Sequence, residues 1–201
     1  MTEKSSEIIF LIDRSGSMNV CEEDTIGGYN SFLDIQRREE GRAYVTTVLF
    51  DNHYEVLCEH ADISEAVYLS GKEYYARGTT ALLDAIGLTI SRVSQRQKAE
   101  NGNAKTLMVI ITDGQDNVSR VYSVKDIYEM IHEQQDHNGW QFIFLGADME
   151  SIRTARSIGI SPAQTGSFTK ANEGVRQKFS GISRTVSHFR KNGQLNQDWR
   201  I

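Results

Sequence analysis

The chain has 201 residues, 39% of them hydrophobic and 24% charged, with a formal net charge of −5. That length suits a single domain with a sizeable core, expected over residues 8–191 with a lead-in at 1–7 and a tail at 192–201. The acidic balance provides no basic stripe for nucleic acid, and no apolar run approaches the roughly 20 residues that span a bilayer, so a cytoplasmic protein with no membrane partner is expected.

Ile8–Ile12 is an apolar run without alternation, the pattern of a strand covered on both faces. After the Ser17 loop, Ile26, Tyr29 and Leu33 mark a first helix. Tyr44–Phe50 and Tyr54–Cys58 read as strands joined by Asp51-Asn52-His53, a tight polar connection that fits a hairpin and therefore one antiparallel edge strand. Leu82, Leu83, Ile86, Ile90 and Val93 define a long helix beginning at Thr80, and Leu107–Ile111 is a second buried strand. Ser123 with Asp126 resembles a capping box, opening a helix whose apolar stripe is Val124, Ile127, Tyr128 and Ile131. Phe142–Leu145 is a third buried strand. Asp148 then caps a helix that carries Ile152, Ala155 and Ile158 and stops at Gly159. A weak strand around Gln164–Phe168 precedes the last helix, in which Val175, Phe179, Ile182, Val186 and Phe189 form one stripe ended by Gly193.

Strands alternating with helices give an α/β fold: a doubly wound, Rossmann-like three-layer sandwich on a mostly parallel six-stranded sheet with one antiparallel edge strand. In such sheets ligands sit beyond the carboxyl ends of the strands, where the strand order reverses. If Ile8–Ile12 and Leu107–Ile111 flank that point, Asp13 and Asp113 stand at it.

The residues there are oxygen donors. Asp13-Arg14-Ser15-Gly16-Ser17-Met18 places three oxygen-bearing side chains at a spacing of two on a turn that Gly16 lets curl tightly. Thr80 at a helix start and Asp113 before Gly114 bring two more. A hard dication such as Mg²⁺ takes six oxygens and commonly keeps waters. Two carboxylates balance its charge and three hydroxyls bind weakly, leaving a position for an Asp or Glu from a partner protein. Singly, each of these residues also fits a turn former or local cap, and Thr79 competes with Thr80. Glu22, Glu23 and Asp24 fit either a second cation or a solvated acidic face. Asp116 and Asn117 either orient waters or form a polar loop. Arg14 and Arg77 either greet an acidic partner or are ordinary exposed loop arginines.

The chain resembles the von Willebrand factor A superfamily, as a stand-alone member of bacterial type. The metal-ion-dependent adhesion site (MIDAS) of that family reads Asp-x-Ser-x-Ser, then a Thr on a later loop, then an Asp in a Thr-Asp-Gly stretch. Asp13, Ser15, Ser17, Thr80 and Asp113 match it position for position, and Thr80-Ala81-Leu82 with Asp84-Ala85-Ile86 matches the pattern that follows the threonine, which favours Thr80 over Thr79. The resemblance runs from about residue 8 to about residue 190. It implies a metal-dependent protein-binding module with Mg²⁺, or Mn²⁺ or Ca²⁺, at a complete site. The hydroxyls would touch the metal directly, the aspartates would act partly through water, and ligand binding can be coupled to movement of the last helix.

Enzymatic readings fit less well. A strand ending in Asp also opens haloacid-dehalogenase phosphatases, but Ser15 stands where that chemistry needs a second acid. The five histidines, His53, His60, His132, His137 and His188, fall on the hairpin, its second strand or helices, away from Ser15 and Ser17. No Gly-rich phosphate loop follows the first strand. An adaptor whose metal only stiffens the fold is the other alternative. Cys21 and Cys58 are far apart and in no CxxC pair, so reduced thiols are expected.

Overall fold

The computed structural model describes residues 5–100, 104–169 and 174–196, so most of the expected lead-in and half of the expected tail lie outside the described residues. The strands are β1 (Ser6–Asp13), β2 (Ala43–Phe50), β3 (Tyr54–Asp62), β4 (Lys105–Thr112), β5 (Gln141–Gly146) and β6 (Thr165–Ser167). They form one sheet in the order β3-β2-β1-β4-β5-β6. Every neighbouring pair is parallel except β2 with β3. The expected doubly wound sheet with one antiparallel edge strand is therefore present, and its order reverses between β1 and β4.

The alternation within β1 builds two cores. Ile8, Phe10 and Ile12 join one apolar cluster, with α1 (Glu22–Gln36) and α5 (Gly174–Asn192) over it. Ile9 and Leu11 join the other, beneath α2 (Leu82–Ala99), α3 (Val124–Asn138) and α4 (Met149–Ser157). Both faces of the central strands are thus apolar, which is why these runs show no hydrophobic period in the sequence.

Two helices bury a different stripe from the one their spacing predicts. On α1, Phe32 is buried with Tyr29 and Leu33, while Ile26 is only partly covered. α5 crosses α1 at Gly28, where a methyl group would stand 2.5 Å from a Phe179 ring carbon, so the helices meet along a line shifted from the apolar residues. On α3, Ile127 and Ile131 are buried but Val124 and Tyr128 are exposed, with Tyr128 against the His132 ring at 4.4 Å. The expected caps form: Ser123 and Asp126 make a capping box, and Asp148 accepts the Glu150 and Ser151 backbone N–H groups. No disulfide joins Cys21 to Cys58. Among the described residues no helix is long and apolar enough to cross a membrane.

Candidate functional site

β1 delivers Asp13 to the switch point as its last residue, and Asp113 follows the last residue of β4. Asp13 is fully buried. Its Oδ1 accepts the Ser15 backbone N–H at 2.7 Å and its Oδ2 accepts the Thr112 hydroxyl at 2.6 Å. The chain then turns through a short 3₁₀ helix, Gly16–Cys21, that leads directly into α1. This curl brings Ser15 Oγ and Ser17 Oγ to 3.3 Å, and Ser17 Oγ donates to Asp113 Oδ1 at 2.7 Å. Thr80 comes from the loop between β3 and α2. A methyl group on Gly114 would stand 3.4 Å from Thr80 Oγ1 and 4.0 Å from Ser17 Oγ, so the threonine hydroxyl faces the same spot. Thr80 is buried whereas Thr79 is exposed, so Thr80 is the threonine whose hydroxyl faces the other donors. Among the five, Ser17 is exposed and the others are buried, so the set opens to solvent on one side.

Electrostatics makes this an uneasy place for a carboxylate. Burial pushes Asp13 up to about 6 against the hydrogen bonds from Thr112 and Ser15, and the charge of Asp113 adds to the rise. A dication would relieve both the burial of charge and the repulsion. Oxygens in adjacent positions around an ion at about 2.1 Å stand roughly 3 Å apart, a spacing that the 3.3 Å and 2.7 Å contacts bracket. Two carboxylates and three hydroxyls are the hard oxygen donors that Mg²⁺, Mn²⁺ or Ca²⁺ prefers. Among the described residues no group of three or more His, Cys, Asp and Glu side chains gathers to hold a metal, so this candidate depends on its hydroxyls.

The supporting shell was not legible in the sequence. Arg14, expected as a rim arginine, is instead only 1% exposed. Successive side chains at a strand end point to opposite sides, so Asp13 and Ser15 face the donor cluster while Arg14 is driven beneath it. There its Nε donates to Asp51 Oδ2 at 3.1 Å, Nη2 to Glu55 at 2.6 Å and Nη1 to the Glu73 carbonyl at 3.2 Å. Asp51 also accepts from Arg77 Nε at 2.8 Å and from the His53 N–H at 2.6 Å. Burial alone would raise the Asp51 carboxyl, but these bonds and the charge of Arg14 hold it below its usual range. Through backbone bonds the same hub ties the donor loops together: Arg77 N–H to Arg14 O, Ala81 N–H to Asp51 O, and Gly16 N–H to Gly78 O. Gly78 has φ +68°, and a Cβ there would meet Asn52 Oδ1 at 2.1 Å, so this junction requires glycine.

Asp116 and Asn117, weighed as water-orienting groups or a polar loop, hold backbone. Asn117 Oδ1 accepts the Thr80 N–H at 3.0 Å and its own N–H returns to Thr80 O at 3.0 Å. Asp116 accepts the Leu83 N–H at 3.2 Å and Ser119 Oγ accepts that of Asp84 at 3.0 Å. The first N–H groups of α2, which no preceding turn can satisfy, thus bind the Asp113 loop to the Thr80 loop. Asp84 completes the stitch by accepting the N–H groups of Arg120, Val121 and Tyr122, each at 2.9 Å. Glu22, expected on a solvated acidic face, accepts the Ala76 N–H at 2.7 Å. Tyr74 donates its hydroxyl to Asp13 O at 2.7 Å. The signal that could have exposed Arg14 is the strand alternation itself, continued past the last apolar residue.

The family model for the von Willebrand factor type A domain matches residues 7–181. Comparison with curated proteins gives no match. Among solved structures, a von Willebrand factor type A protein from Catenulispora acidiphila is 13% identical with a TM-score of 0.63, over 92% of this chain and 43% of that one. The conserved hypothetical protein BatB from Bacteroides thetaiotaomicron is 16% identical with a TM-score of 0.59, over 93% of this chain and 100% of that one. Proximal thread matrix protein 1 from the mussel byssus, with a zinc-occupied MIDAS motif, is 17% identical with a TM-score of 0.61, over 92% and 46%. At these identities the likeness is one of fold. The chain spans less than half the length of the Catenulispora and mussel structures.

Proposed function

The chain belongs to the von Willebrand factor type A domain family, and from that premise we propose that it is a protein-binding module whose Asp13, Ser15, Ser17, Thr80 and Asp113 hold Mg²⁺, or Mn²⁺ or Ca²⁺, as a MIDAS. The observation that carries this reading is the convergence of five oxygen donors from three loops on the sheet's switch point, two of them buried carboxylates of which one is pushed up to about 6. The zinc-occupied MIDAS of the mussel protein supports it.

When bound, the ion supplies an electrophilic coordination position for a carboxylate. The protein's own part is to aim and to hold. Asp13 and Asp113 balance the ion's charge, Ser15, Ser17 and Thr80 offer neutral oxygens, and exposed Ser17 marks the side from which an Asp or Glu of a partner protein would enter. The Arg14–Asp51 hub and the Asp84 stitch keep the three loops in register. The reading includes no catalysis: the carboxylate beside Ser17 is Asp113, itself one of the five proposed ligands, at 2.7 Å, and His53 leans on Asp51 at 3.1 Å. The adaptor alternative, a metal that merely stiffens the domain, is weakened by the number of protein hydrogen bonds that already stitch the loops.

Titration calorimetry with Mg²⁺, Mn²⁺ and Ca²⁺ on the wild type and on Asp13→Ala tests the site. Saturable binding by the wild type that disappears in the folded variant is expected. Affinity capture with Mg²⁺ or with EDTA tests the use: a partner retained equally in EDTA and by Asp13→Ala would overturn the metal-bridged contact in favour of the adaptor reading.

A further inference from the structure

Among the described residues, the most exposed bulky apolar side chains fall at one end of the sheet. Val121, Met149 and Val20 are 68%, 67% and 65% exposed, whereas the next, Val67, is 47%. Topology puts the three together. Val20 lies in the 3₁₀ turn after β1, Val121 in the loop after β4 and Met149 at the start of α4 after β5. β1, β4 and β5 are adjacent and parallel, so all three residues follow the carboxyl ends of strands, the end of the sheet at which Asp13 and Asp113 stand. Scattered exposed apolar residues are ordinary; several on loops that converge on one site are not.

One of them also lines a groove. Val118, Val121 and Ala81, with Thr79, Asn52, Asp84 and Arg120, line a groove of about 590 Å³ next to the loop that carries Thr80. Its wall is held in place: Asp84 fixes the backbone of residues 120–122, and Asn117 pins Thr80 in both directions. Val121 is therefore presented to solvent by a braced loop.

We propose that the partner segment carries its Asp or Glu beside apolar residues, one of which enters the Val118–Val121 groove while another packs on Val20 or Met149. This rests on the metal-bridged reading above and adds the identity of the flanking positions. The physical case is a division of labour. The carboxylate answers the charge of the ion but any surface acid could do so, whereas burial of flanking apolar side chains supplies the discrimination. Arg120 and Asp84 both line the groove, so its own charge is balanced and the call for an acid comes from the proposed ion alone.

The test pans a phage-displayed library of random 12-residue peptides over the Mg²⁺-loaded domain, with elution by EDTA. The expected pool is enriched in Asp or Glu with a bulky apolar residue within two positions. Synthetic peptide from that pool should bind Val121→Ser at least tenfold more weakly, with Met149→Ser weaker as well. Leu88→Ser, an exposed position on α2, should bind like the wild type, and all three variants should keep the wild-type Mg²⁺ affinity. Acidic peptides with no apolar neighbour, a pool that fails to enrich, or unchanged binding by Val121→Ser overturns the proposal. Peptides without an acid, or retention that survives EDTA, overturns the metal-bridged reading instead.

Discussion

Asp13→Asn is expected to stabilise the metal-free domain while abolishing metal binding. The Asp13 carboxyl moves from an ordinary 3.8 to about 6 on folding, with burial as the first cause. By linkage that displacement corresponds to about 3 kcal/mol. Because the folded-state value is raised, the proton binds the folded protein more tightly. The associated stability is fully present below pH 3.8, declines as pH rises, and is gone above about pH 6. At pH 7.5 the metal-free wild type therefore bears the whole cost of a buried charge. An asparagine removes that charge and can keep both contacts. Its oxygen accepts the Ser15 N–H at 2.7 Å, and its amide can donate to Thr112 Oγ, which lies 3.3 Å from Gly114 O and can turn its hydroxyl there. Urea denaturation in EDTA from pH 4 to pH 8 reads the effect. The variant should exceed the wild type by about 2–3 kcal/mol at pH 7.5 and converge with it near pH 4. Adding Mg²⁺ should close the gap, since only the wild type gains, by about 2.7 kcal/mol at a hundredfold excess over Kd, and should reverse the order at a thousandfold excess, where the gain is about 4.1 kcal/mol. A variant less stable than the wild type in EDTA at pH 7.5 would refute the claim that burial of this carboxylate is unfavourable.

Asp51→Asn leaves all five donors in place but halves the hub beneath them, so calorimetry should show Mg²⁺ affinity lowered about 10- to 100-fold with the far-ultraviolet circular dichroism unchanged. Gly28→Ala forces a methyl group to 2.5 Å from the Phe179 ring; thermal melts should show about 1–3 kcal/mol of destabilisation, with α1 and α5 losing hydrogen-exchange protection first. Ser123→Ala removes the cap of α3, at a cost of about 1 kcal/mol in denaturant titration. Because α3 supplies no donor, its Mg²⁺ affinity should match the wild type.

The elements were legible because each rests on a local rule. Unbroken apolar runs marked β1, β4 and β5, Asp51-Asn52-His53 marked the hairpin, and the period of Val175 to Phe189 marked α5. Asp13 and Asp113 were legible for a further reason: strand order alone fixes where a doubly wound sheet opens. What could not be read were contacts between loops distant in sequence. Asp84 sits inside an apparent helix motif, yet its carboxylate serves backbone 36 to 38 residues away. Arg14 is a charged residue on a turn, which local rules send to solvent, and only the β2–β3 hairpin and its Asp51 make burial tolerable. The exposed Val124 and Tyr128 on α3 fail in the opposite sense, since a helical period shows that a stripe exists but not how wide the neighbouring layer is.

These missed contacts bear on how the candidate site works. The donor loops are held by Asp51, Asn117, Asp116 and Asp84 through bonds that involve no metal, so ordering them is part of folding rather than part of ion binding. Asp13, by contrast, is held where its charge is unfavourable. The scaffold thus carries the cost of gathering the donors, while one donor remains poorly solvated until a cation arrives. An ion entering such a place meets little reorganisation and relieves an existing penalty, which favours binding without a large change of shape. In the metal-bridged function proposed above, the free energy from a partner's carboxylate would then be available for affinity instead of loop ordering, and selectivity would fall to the apolar side chains Val20, Val121 and Met149.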